Sequence, residues 1–66
     1  MNIDMKKVED MTYQKLWTWA DLSRNADITQ TTIFALKAKR RNASRRTLYK
    51  IANALGVEPS DIVSKD

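Results

Sequence analysis

Residues 28–36, ITQTTIFAL, carry no charge and run directly into the basic stretch KAKRRNASRR at 37–46. The first segment offers an amide, hydroxyls and small apolar groups, which recognise other molecules through neutral hydrogen bonds and close contact. The second offers guanidinium and ammonium groups, which hold anions through charge-assisted hydrogen bonds. Bond-breaking chemistry has little to work with. The chain has no cysteine and no histidine, which removes thiolate chemistry, the usual zinc sites and the commonest general base. Its Asp, Lys and Ser residues form no readable set of nucleophile, base and orienting group. No catalytic residue, metal, cofactor or small-molecule ligand is therefore expected.

Charge is unevenly spread. Lys37, Lys39, Arg40, Arg41, Arg45, Arg46 and Lys50 give residues 28–57 a balance of +7, whereas residues 1–27 carry −1 and 58–66 carry −2, for a net +4. A charge run alone also describes a solvated surface, but clustering of this kind beside a neutral face points to a polyanionic partner. Sixty-six residues make one domain with a modest core, and 42% apolar content is enough to fold it. No apolar run approaches the roughly 20 residues that span a bilayer, and the N-terminus is too polar for a signal sequence. A cytoplasmic protein with no membrane partner is expected.

One glycine and one proline predict an almost all-α chain whose loops are built by helix caps. A first helix is expected over about 4–14, with Val8, Met11 and the Lys15 stem inward and Lys6, Lys7, Glu9 and Asp10 outside. Thr18 and Asp21 predict a capping box for a second helix ending near Ala26, with Trp17 and Leu22 as its hydrophobic staple. Thr29 caps a third helix running to about Ala38, with Ile28 stapled to Ile33. Only Asp27 and Ile28 precede that cap, so the two short helices must turn sharply on each other, as in a helix-turn-helix. Ser44 caps a fourth helix with Leu48, Ile51, Ala52 and Leu55 inward and Gly56 as its stop. Pro59 opens a short fifth helix carrying Ile62 and Val63.

With Ile33 taken as the inward reference, Leu36 and Thr29 lie about 60° and 40° away and share the core side. Thr31, Ala35 and Ala38 lie roughly 140–200° away and face outward, with Gln30 and Phe34 on one flank and Thr32 and Lys39 on the other. An ordinary solvated face would carry several Lys or Glu, and residues 28–36 have none. Such a face suits the major groove of DNA. Gln30 can pair with adenine, Thr31 can hydrogen-bond a base or the backbone, and Ala35 can touch a thymine methyl. Phe34 is expected first to pack partly against the fourth helix, then to touch sugars or thymine methyls, then to join an interface. The helix start with its Thr29 hydroxyl suits a phosphate. Lys39, Arg40, Arg41 and Asn42 follow as phosphate contacts, joined by Arg45 and Arg46, whose place at a helix start is locally unfavourable.

The segments VEDM, TWADLSRNADIT, QTTIFAL and TLYKIANALGVEPSDIV together resemble the phage repressor and Cro-like helix-turn-helix family, also called the xenobiotic-response-element type. The resemblance covers about residues 8–63 and is most specific in TLxxIAxALGV. It implies a compact five-helix, lambda-repressor-like DNA-binding domain acting as a dimer on a two-fold operator. Gln30, Thr31 and Ala35 then fall on base-contacting positions and residues 39–42 on the backbone-contacting loop. The chain departs from the pattern at four places: Trp19 replaces a common Gln that binds phosphate, Asp27 the turn glycine, Lys39 a glycine and Ala43 a proline. The Trp19 indole N–H can replace one phosphate donor.

The function expected is that of a small sequence-specific transcription regulator, a repressor that acts by occupying double-stranded DNA. A homodimer is expected, through Ile62 and Val63 or through Ile3 and Met5, because a monomer gains too few contacts for high specificity. The alternative is an antitoxin-type protein-interaction module that also binds its own promoter, for which exposed Phe34, Trp19 and Tyr13 would be the surface.

Overall fold

The computed structural model describes residues 2–38 and 43–64. Among them are four α-helices: α1 Met5–Gln14, α2 Trp19–Ala26, α3 Gln30–Lys37 and α4 Arg45–Leu55. The expected fifth helix is only a single 3-10 turn, Pro59–Asp61. Pro59 supplies the starting φ and the Asp61 carboxylate accepts from the Glu58 N–H at 3.0 Å. The chain then leaves helical geometry at Ile62, whose side chain is pulled fully into the core.

Each helix begins on a polar side chain, and three of these, Thr18, Thr29 and Ser44, are the caps that the sequence predicts. Asp4 accepts from the Lys7 N–H, Thr18 from Asp21, Thr29 from Thr32 and Ser44 from Thr47, in each case satisfying an N–H that the first turn leaves unpaired. The ends of α1, α2 and α4 share a second device. At Leu16, Asp27 and Gly56 the backbone turns left-handed, with φ of 58°, 57° and 72°. The next residue donates back to the final turn: Trp17 to the Thr12 carbonyl, Ile28 to Ser23 and Val57 to Ala52, at 3.0–3.1 Å. All three are Schellman closures, and only one falls on the residue type that favours that geometry.

The core gathers Val8 from α1, Leu22 and Ala26 from α2, Ile33 and Leu36 from α3, Ala43, four residues of α4, and Ile62. Thr12, which apolar spacing does not flag, is also buried and donates its hydroxyl proton to the Val8 carbonyl at 2.6 Å. Lys15 is exposed instead of lying along the core, its ammonium 5.2 Å above the Trp17 ring. The two ends of the described chain are pinned together. Asp4 N–H donates to Ile62 and Ser64 N–H to Asn2, around an antiparallel bridge between Ile3 and Val63. This overturns the expected dimer contact at Ile62, which has no exposed surface. Ile3, Met5 and Val63 are likewise half-buried against the core.

Leu16 is 85% exposed, so its side chain returns little for a left-handed backbone that disfavours a Cβ by roughly 1–2 kcal/mol. Leu16→Gly should raise stability by roughly 1 kcal/mol. Gly56→Ala, whose new methyl group would meet nothing within 4 Å, should lower it by about 1 kcal/mol through backbone strain alone. Thermal melts of the two variants check both signs.

Candidate nucleic-acid interface

α2 and α3 are eight residues each, too short to persist alone, so their relative direction rests on how they are joined. The start of α2 is fixed by a full capping box. The Thr18 hydroxyl accepts from the Asp21 N–H at 3.1 Å, and the Asp21 carboxylate accepts from the Thr18 N–H at 2.9 Å. The Thr18 N–H first and the nearby Thr18 hydroxyl second, together with the neighbouring Arg24 guanidinium, hold the Asp21 carboxyl below its ordinary value. At the far end Asp27 takes the left-handed conformation that ends α2 just before the cap of α3.

A contact from α4 braces this turn. Lys50 Nζ donates to the Asp27 carbonyl at 3.2 Å and lies 3.7 Å from its carboxylate. Lys37 is also committed, 3.9 Å from the Glu9 carboxylate and 5.2 Å above the Trp19 ring. Two of the seven cations that look unopposed in the sequence are therefore paired within the fold, because their partners stand 23 and 28 positions away in the chain.

α3 buries Ile33 and Leu36 and turns the remaining side chains outward or along its flanks. Gln30, Thr31 and Ala38 are exposed, while Ala35 is half-buried. Phe34 keeps 49% of its surface open. Thr29 is exposed, not on the core side. Its hydroxyl accepts from the Thr32 N–H and shares a hydrogen bond with the Thr32 hydroxyl, so its own helix engages it. Beyond α3, Arg45 and Arg46 are exposed in the first turn of α4. Trp19 is half-buried at the start of α2. The expected phosphate contacts Lys39, Arg40, Arg41 and Asn42 lie outside the described residues. What the structure brings together is thus an uncharged, exposed helix face with cations ahead of it in the chain and a fixed turn behind it.

Among known proteins, the helix-turn-helix family model matches residues 10–62. The matched segment spans α2, the turn, α3 and α4 in full. The chain belongs to the helix-turn-helix family, of the Cro and phage-repressor type. No curated protein and no solved structure matches it. Membership makes the chain a DNA-binding regulator, with α2 and α3 as the two helices that give the family its name. Among the described residues no helix is long and apolar enough to cross a membrane, and no cluster of side chains could hold a metal ion.

The brace on the family turn separates two substitutions. Lys50→Met loses a hydrogen bond to a backbone carbonyl and should lower stability by about 0.5–1 kcal/mol. Asp27→Gly loses only a carboxylate that is 96% exposed and relieves a strained backbone, so it should leave stability unchanged or raise it. Denaturant midpoints distinguish the pair. A larger loss from Asp27→Gly would mean that the ion pair, not the carbonyl bond, holds the turn.

Proposed function

We propose that this chain is a sequence-specific regulator of transcription, a small Cro-like repressor that binds double-stranded DNA as a dimer on a two-fold operator. Residues 29–38 enter the major groove. The observation that carries this is the exposed face of α3, which holds an amide, hydroxyls and small side chains but no charge until Lys37. A groove about 12 Å wide admits a helix of this kind, and base edges are read by neutral donors and acceptors. Gln30 and Thr31 are the polar readers. Phe34 and the half-buried Ala35 offer apolar surface to thymine methyls or sugars.

Phosphate attraction comes from Arg45 and Arg46, from Lys39, Arg40, Arg41 and Asn42, and from Trp19 at the start of α2, with Thr29 at that of α3. Repression follows from occupancy, since a bound domain blocks a promoter with no further surface. The second copy is needed for affinity at a specific site. With Ile3, Met5, Ile62 and Val63 turned inward, the apolar surface left for it is at Tyr13, Leu16 and Tyr49, all more than 60% exposed.

One observation supports the antitoxin-like alternative. Tyr13, Trp17 and Trp19, with Glu9, Thr12 and Thr18, line an open groove of about 330 Å³, a surface that DNA reading does not require. A small protein that binds this groove with a fixed stoichiometry, and releases on Tyr13→Ala, would favour that alternative.

The DNA-reading assignment is tested by two variants on a selected duplex and on random duplex. Gln30→Ala should weaken the selected site by roughly 1–3 kcal/mol and relax preference at one base pair. Arg46→Ala should weaken both duplexes alike and make binding less steeply dependent on salt. If both variants behave identically on the two duplexes, α3 does not read bases.

A further inference from the structure

Lys37 closes α3 and extends towards the α1–α2 corner, where two groups of opposite consequence hold it. The Trp19 ring attracts its ammonium without neutralising it, at 5.2 Å from the centroid. The Glu9 carboxylate, 3.9 Å away, does neutralise it. Both charged side chains stay open to water, Lys37 at 42% and Glu9 at 58%. An ion pair so exposed is weak and exchanges readily for a stronger anion.

The helical register puts Gln30, Phe34 and Lys37 along one flank of α3. When the outward face enters a groove, the flanks run beside the phosphate strands that form its walls. Lys37 is the only cation in α3. A ring fixes its direction, so it loses little side-chain freedom on meeting a phosphate.

We infer that Lys37 is a phosphate ligand of the DNA-bound state, aimed by Trp19 and held back in the free protein by Glu9. This rests on the DNA-reading function proposed above and adds a regulated contact to it. On binding, the ammonium stays over the Trp19 ring and exchanges the Glu9 carboxylate for a DNA phosphate. Glu9 then faces the backbone as a like charge. It is a brake on every sequence alike, setting the threshold of non-specific binding without altering the base code.

A double-mutant cycle in DNA binding tests this, read as affinity and salt dependence on one duplex, with circular dichroism confirming the fold of each variant. Lys37→Gln should weaken binding and reduce the slope of log affinity against log salt by about 0.9, the share of one phosphate contact. Glu9→Gln should tighten binding about two- to fivefold, the range of an exposed pair, and by more than Asp10→Asn, which removes the same charge one residue along α1. In the Lys37→Gln background the extra gain from Glu9→Gln over Asp10→Asn should vanish. A wild-type slope in Lys37→Gln, or a gain from Glu9→Gln that survives without Lys37, overturns the inference while leaving the DNA-binding function standing. A wild-type chain that binds no duplex overturns both.

Discussion

The joint at Asp27 is what the rest of the structure depends on. Two eight-residue helices meet there, and neither has the length to hold its own backbone hydrogen bonds in water. Their direction is set from three sides at once. Leu22 and Ala26 before the turn and Ile33 and Leu36 after it enter the same core, so a wrong angle would expose one pair or the other. The left-handed backbone at Asp27 makes the required angle, and the Ile28 N–H closes α2 by donating to Ser23. Lys50, reaching from α4, then satisfies the Asp27 carbonyl. With the inward face of α3 fixed, its neutral outward face becomes a rigid surface and not a fluctuating one.

That surface conflicts with local stability. α3 has no acidic residue in its first turn to complement the helix dipole, and before Lys37 its exposed positions are Gln, Thr and Phe, not the Lys–Glu pairs that support a solvated helix. α4 goes further and opens with two arginines at the positive end of its dipole. Compensation comes from elsewhere in the fold: the local capping box at Thr18, the buried α2–α4 packing, and the pinning of residues 2–4 against 62–64. The last of these uses the apolar ends internally.

Much of the fold was legible because helix ends are local chemistry. Thr18, Thr29, Ser44 and Gly56 announce themselves by residue type, and the inward positions of α3 and α4 follow from a 3.6-residue period. The left-handed Asp27 was legible only because the family pattern places glycine there. Leu16 was not, since nothing in its type favours that backbone; the bonds from Leu16 and Trp17 back to α1 impose it. Pro59 marks a helix start correctly, but whether a helix continues depends on where Ile62 must go, and the core decides that. The pairings of Lys37 with Glu9 and of Lys50 with Asp27 span more than twenty residues and carry no sequence signature, so the count of free cations read from the chain was too high. The neutral face of α3 was visible in composition alone, although Thr29 proved to be engaged by its own helix and Ala35 half-covered.

Whether this face carries a code is tested most directly by titrating the wild-type chain against a duplex selected from a random pool and against unselected duplex, at two salt concentrations. A sequence-reading dimer predicts a preference of about a thousandfold or more, retained at the higher salt, with two copies on each selected site. Equal binding to both duplexes, falling steeply with salt, would show that the cations hold DNA while α3 reads nothing.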